Sequence, residues 1–186
     1  MRIARSLLRK ANSVFLPRKA NKIRNLEDAL KGLSNKELIH GYNCPRTNKA
    51  IDATNQIYIE QLPTILILHL KLFNGEDGQT KKSMKKIDFS IDLEIPKECL
   101  TNGDRPKYSK NYKLLAVVHH DGKEAGKGHY FTDIYHIGTS SWLRCDDSKI
   151  EPISVQQLTK PQHSKIPYLL FYRRCDTLRQ RGESKN

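Results

Sequence analysis

Strand-length runs of β-branched, aromatic and aliphatic residues, each closed by a turn-forming cluster, recur from residue 56 to residue 173 and leave little room for helices. They fall at 56–59, 64–73, 86–89, 112–119, 129–137, 141–145 and 167–173. Clusters such as Asn74-Gly75-Glu76-Asp77-Gly78 and Thr101-Asn102-Gly103-Asp104 separate them. One segment departs from the pattern. Leu26, Ala29, Leu30 and Leu33 recur at helical spacing after Asn25, whose side chain suits an N-cap, and Gly41 closes the stretch, so a short helix is expected over 26–39. There is no internal repeat. The pattern is that of one helix packed on a mixed or antiparallel sheet, an α+β arrangement.

With 186 residues, 37% of them hydrophobic, the chain buries one core and not two. Its net charge of +13 is unevenly spread: Arg2, Arg5, Arg9, Lys10, Arg18, Lys19, Lys22 and Arg24 all precede the first acid, Glu27. Within residues 1–16, Ile3, Leu7, Leu8, Ala11, Val14 and Phe15 share one arc at 100° per residue, with Arg2, Arg5, Arg9 and Ser13 opposite. That spacing predicts an amphipathic basic helix, suited to an anionic surface or to a mitochondrial transit peptide, and a disordered basic arm is the plainer alternative. Cys44, Cys99, Cys145 and Cys175 form no CxxC pair, so reduced thiols in a cytosolic or nuclear setting are expected, without a metal site. The longest apolar runs are far too short for a membrane span.

The chemistry concentrates in two places, the 122–130 loop with His129 and the pair Asp146-Asp147 beyond the next strand. A hairpin turning at Gly138 sets His129 and Asp146 directly opposite on neighbouring strands, at a separation where carboxylate and imidazole meet. An acid held on one ring nitrogen fixes the tautomer and raises the basicity of the other, the arrangement of two-thirds of a catalytic triad. An ordinary cross-strand ion pair on a solvated face accounts for the same spacing. His119 and His120 are adjacent in a strand, so they point to opposite faces and make a poor metal site with His129. His40, His136 and His163 read as surface residues, and His69 as a hydrogen-bonded core histidine.

The segment Leu62-Pro63-Thr64-Ile65-Leu66-Ile67-Leu68-His69-Leu70-Lys71-Leu72-Phe73 is similar to the LPxxLxxHLKRF signature of the ubiquitin-specific proteases. Residues 112–119, Gly128-His129-Tyr130, residues 142–147 and Tyr168-Leu169-Leu170-Phe171-Tyr172-Arg173-Arg174 resemble, in the right order, that family's histidine box and closing strand. The resemblance covers roughly residues 21–178. It implies a papain-like cysteine-protease fold, of which the chain would carry the palm, a mostly antiparallel sheet, and part of the fingers, with the thumb missing. The expected organisation is a basic amphipathic or disordered arm (1–24), the partial catalytic domain (25–178) and a disordered tail (179–186).

By the same resemblance, His129 would be the general base and Asp146 its orienting acid, while Asp147, Gly128, Tyr130 and Trp142 would support the pair or bind the tail of ubiquitin. Residues 122–128 would match a mobile loop beside the tail channel. The implied partners are ubiquitin and ubiquitinated proteins, with no cofactor, no membrane span and no nucleic acid. The family's cysteine box normally lies far upstream of the palm, and only the basic arm precedes it here, so no nucleophile is expected in the chain. Cys145 adjoins Asp146 on one strand and so faces the other way. Thr47 stands three residues after Cys44, where many relatives place a second zinc-binding cysteine, so structural zinc is not expected. Leu72 replaces an arginine of the family pattern and Lys127 a glycine. Two other readings remain open: a catalytically inactive ubiquitin-binding fragment, and a basic nucleic-acid binder. The second lacks the aromatics interleaved with Lys and Arg that a stacking platform needs.

Overall fold

The computed structural model describes residues 2–8, 13–16, 23–70, 73–76, 79–82, 87–101, 108–124, 127–160 and 165–177. In chain order the elements are β1 (Arg2–Leu8), β2 (Ser13–Leu16), α1 (Leu26–Leu33), β3 (Glu37–Asn43), β4 (Ala50–Ile59), β5 (Ile65–Leu70), β6 (Phe73–Glu76), β7 (Gln79–Lys82), β8 (Asp92–Glu94), β9 (Asn111–Glu124), β10 (Lys127–His136), β11 (Ser141–Asp146), β12 (Lys149–Ile153), α2 (Val155–Thr159) and β13 (Lys165–Arg174). The main sheet runs β12-β11-β10-β9-β13-β5-β2, antiparallel throughout except for β2, which lies parallel to β5. The β6–β7 hairpin and β8 attach to it through β9. A smaller sheet, β1-β4-β3, stands apart.

Alternation along β5 sets the layers. Leu66, Leu68 and Leu70 are wholly buried, while Ile65, Ile67 and His69 between them are half-buried on the other face. Leu170 and Tyr172 of β13, Val117 of β9 and Trp142 of β11 join Leu26, Ala29 and Leu30 of α1 and Leu158 of α2 in one hydrophobic cluster with the β5 leucines. Two phenols inside it find acceptors: Tyr112 donates to the Pro63 carbonyl at 2.7 Å and Tyr172 to the Ser90 carbonyl at 2.7 Å. Burial pushes both hydroxyls well above the ordinary phenol range, which favours the neutral, donating form.

Asn25 caps α1 as expected, its side chain accepting from the Asp28 N–H at 2.8 Å. The helix is shorter than the sequence predicts. It ends at Leu33 with a Ser34 cap, and residues 37–43 form β3 instead. Gly41, expected as a helix stop, sits at φ +68 within the β3–β4 register shift, a bulge conformation that a side chain would disfavour. The basic helix over 1–16 is also overturned: residues 2–8 and 13–16 are strands parallel to β4 and β5. Unpaired edges of β4 and β5 offer a full ladder of hydrogen bonds, against which a short isolated helix is marginal. Of the strand expected over 86–89, the described part holds one bridge, Asn25 to Asp88. The tail 179–186 and His163 lie outside the described residues.

Leu68→Ala, in the centre of β5, is expected to lower unfolding free energy by about 3 kcal/mol, whereas Ile150→Ala, at a site 65% exposed on edge strand β12, should change it by less than about 0.5 kcal/mol. Urea titration followed by circular dichroism checks both.

Candidate active site

The β10–β11 hairpin carries the site. Its register pairs Thr132 with Cys145 and His136 with Ser141, leaving a four-residue loop at 137–140 rather than a tight turn at Gly138. His136 Nδ1 accepts from the Thr139 N–H at 3.2 Å, and Thr139 Oγ1 lies 2.7 Å from Ser141 Oγ, so the loop is internally bonded. The wider loop slips the strands by two residues from the expected register, and His129 therefore lies diagonal to Asp146 instead of opposite it. A slip of two preserves the face on which each side chain emerges. The pair still meets: His129 Nε2 hydrogen-bonds Asp146 Oδ1. Both are partly exposed, His129 by 49% and Asp146 by 37% of the side chain.

Asp147 follows at φ +50 in the two-residue turn between β11 and β12, where Asp146 pairs with Lys149. Asp tolerates this left-handed conformation better than most residues. The ligand atoms of His129, Asp146 and Asp147 lie within 4.8 Å of one another. Asp121 of β9 pairs with His129 across the other edge of β10, so three carboxylates surround the imidazole.

Two glycines permit this corner. β9 and β10 run on as strands to Glu124 and from Lys127, which narrows the expected loop of residues 122–128 to a hairpin whose tip lies outside the described residues. The register shifts between Lys127 and His129. At Gly128 a Cβ would stand 2.1 Å from His120 Nε2 and 2.9 Å from the Asp121 carbonyl; at Gly122 it would stand 2.7 Å from the Gly128 Cα. The backbones approach because neither carries a side chain. His120, wholly buried, packs into the space and against Tyr130 at 4.8 Å between ring centroids.

The remaining expected residues divide. Tyr130 is 47% exposed beside the pair and packs 5.8 Å from Tyr168, whose ring meets His69 edge-on at 4.6 Å. His69 is thus a half-buried member of an aromatic row and not a core residue. Trp142 is not brought to the pair. It is buried in the core against Tyr135 and borders a cavity of about 320 Å³ near the far end of the hairpin. The sequence reading missed Asp121, as well as a buried ion pair between Asp133 and Arg144, although strand alternation puts both on the His129 face.

None of the cysteines is placed at His129. Cys44 and Cys99 are buried, and Cys145 points to the opposite face from Asp146. Cys175 follows β13 at the end remote from Lys165, the residue that pairs with Asp121 beside the site.

The hydrogen bond to Asp146, reinforced by the charges of Asp146, Asp147 and Asp121, raises the pKa of His129 above the ordinary imidazole value. A group whose folded pKa is raised contributes stability that is fully present below its unfolded pKa, about 6.5 for histidine. That contribution is lost as pH rises through the raised value.

A family model described as ubiquitin carboxyl-terminal hydrolase matches residues 4–172. The chain belongs to the ubiquitin carboxyl-terminal hydrolase family. It is similar to ubiquitin carboxyl-terminal hydrolase 10 of Mus musculus, 41% identical over 163 residues that cover 86% of this chain and 20% of that protein. Probable ubiquitin carboxyl-terminal hydrolase 3 of Schizosaccharomyces pombe is 35% identical over 168 residues, 83% of this chain and 32% of that one. Among solved structures, the SAGA Ubp8/Sgf11/Sus1/Sgf73 DUB module bound to ubiquitin aldehyde superposes with a TM-score of 0.67 at 26% identity, covering 87% of this chain and 35% of that one. The chain spans about a fifth to a third of the length of these relatives. Its α+β arrangement is the papain-like one of this family. Among the described residues no helix is long and apolar enough to cross a membrane.

Asp146→Asn is expected to lower the His129 titration midpoint, followed by NMR of the imidazole Cε1–H. It should also destabilise the fold most in mildly acid solution, with the deficit shrinking as pH rises through the raised His129 value. Gly128→Ala should cost roughly 1–3 kcal/mol by driving the His120 ring from its site, read as a fall in the urea midpoint.

Proposed function

We propose that His129 and Asp146 are the general base and orienting acid of a cysteine-type deubiquitinase. The reaction is thiol-dependent hydrolysis of the isopeptide bond after the C-terminal glycine of ubiquitin. The observation that carries this reading is the His129 Nε2 to Asp146 Oδ1 hydrogen bond in a chain of this family. With the Nε2 proton donated to the carboxylate, Nδ1 keeps its lone pair and is the nitrogen that takes a thiol proton. The thiolate attacks the isopeptide carbonyl, and the imidazolium returns the proton to the departing lysine amine. His129 then draws a proton from the water that hydrolyses the thioester. A raised imidazole pKa suits both halves of this cycle.

On this reading the thiol is neither Cys44 nor Cys99, which are buried, nor Cys145, which faces away, nor Cys175, which follows the far end of β13. Catalysis therefore calls for a cysteine supplied by the other half of the family fold. The same observation favours a second reading, that this chain by itself binds ubiquitin without cleaving it. Tyr130, exposed beside His129, is suited to line the channel for the ubiquitin tail, and Asp147 to support the pair. The ubiquitin-bound state of the similar solved module supports ubiquitin as the partner.

The chain alone is expected to leave a fluorogenic ubiquitin C-terminal conjugate intact. Joined to the cysteine-bearing half of a relative, it should gain thiol-dependent cleavage that His129→Ala abolishes. Asp146→Asn should reduce it by roughly three to four orders of magnitude, and Cys145→Ser should leave it unchanged. Cleavage by the unjoined chain that vanished with Cys145→Ser would overturn this account.

A further inference from the structure

A second ion pair lies beside the first, and the chemistry above does not use it. Asp133 of β10 has no exposed surface and sits directly opposite Arg144 of β11, itself only 11% exposed. The guanidinium grips both carboxylate oxygens, Nε donating to Oδ1 at 2.8 Å and Nη2 to Oδ2 at 2.9 Å. From β9, His119 Nε2 approaches the same Oδ2 at 3.0 Å. Burial by itself would raise the Asp133 carboxyl, but the hydrogen bonds from Arg144, with the His119 ring close by, hold it below its ordinary range. Phe131 braces both side chains: the His119 ring lies flat on it at 4.7 Å and 8°, and the Arg144 guanidinium stands 4.7 Å from its centroid.

Arg144 precedes Asp146 by two residues on one strand, so the two side chains leave the same face about 7 Å apart. An arginine side chain spans that distance, and the Asp146 charge already acts on the guanidinium. Three carboxylates therefore act on one guanidinium, Asp133, Asp146 and Glu151 of β12, the last already bridged by Lys149, and Asp146 is in reach of two cations, Arg144 and the His129 imidazolium. A carboxylate that loses its imidazole to an arginine no longer orients it.

We propose that Asp133 is a positioning residue: by holding Arg144 in a two-pronged grip beneath Phe131, it keeps that guanidinium off Asp146 and reserves the Asp146 carboxylate for His129. Its meaning for catalysis rests on the deubiquitinase reading, but the division of partners does not, and it is measurable without turnover. Were Asp133 neutral, Arg144 would lose its two-pronged partner and be left with Glu151, which Lys149 already bridges, and with Asp146, to which a swing of its side chain would carry the charge.

The test is the NMR titration of His129 in the full chain, its signal assigned by loss in His129→Gln, with circular dichroism to verify folding. The groups that act on His129 are Asp146 and Asp147 from β11 and its turn and Asp121 from β9, none of which is altered. Asp133→Asn, nearly isosteric, should drop the His129 midpoint towards the ordinary imidazole value as Arg144 takes Asp146. The double variant Asp133→Asn with Arg144→Gln removes the competing cation and should restore the raised midpoint. A merely structural role would weaken the fold in both and move His129 in neither. An unshifted midpoint in the single variant, or an equal fall in both, overturns the proposal. If the single variant does not fold, the double still decides, because a fallen midpoint there shows that Arg144 is not the competitor. Loss of the deubiquitinase reading would leave these titrations unchanged, so the two failures are separable.

Discussion

β9 is hydrogen-bonded along one edge to β10 and along the other to β13, and its ends also take in β8 and β7. The register of this strand fixes the rest of the palm sheet. Its adjacent histidines show how. His119 turns to the face of the hydrophobic core and meets Asp133 and Phe131, while His120 turns to the other face and fills the space that Gly128 leaves. A single-residue slip would exchange these environments, placing a ring against a buried carboxylate's empty side and another against backbone. The two glycines and the bulge at Lys127 are the local concessions that let β10 close on β9 and still present His129 at the rim.

The electrostatics of the rim run against those of the chain as a whole. With 33 Lys and Arg against 20 Asp and Glu the molecule is strongly cationic, yet His129 is ringed by Asp121, Asp146 and Asp147. The local field favours the imidazolium, while the excess positive charge suits an acidic protein surface by long-range attraction. Only a short way inward the pattern becomes a buried alternation of Asp133 and Arg144, where desolvation makes an unmatched charge far more costly than at the rim. The two pairs are thus governed by different balances, although they occupy neighbouring positions on the same two strands.

Much of this was legible in residue order. The strand run at 64–73, the N-cap at Asn25 and the shared face of His129 and Asp146 depend on composition, alternation or contacts within a few residues, and each holds in the structure for the described residues. The signature around His69 and the Gly128-His129-Tyr130 motif carried the family, which the matched model bears out. What failed did so where distant partners decide. Residues 2–8 and 13–16 carry a helical apolar arc but pair as strands, because β4 and β5 present edges that lie some fifty residues away in the chain. Trp142, which the resemblance of residues 142–147 set among the supporting residues, packs with Tyr135 in the core.

Sequence alone thus determined, for the strands around His129 and Asp146, which face each side chain takes, because the two-residue period of a strand is a property of the local backbone. Tertiary structure decided the rest: the two-residue slip at the β10–β11 loop, the parallel partners of β1 and β2, and the burial of Asp133 with Arg144. These follow from hydrogen-bond and charge partners contributed by other strands, and no spacing within one strand encodes which partner across the sheet will be nearest.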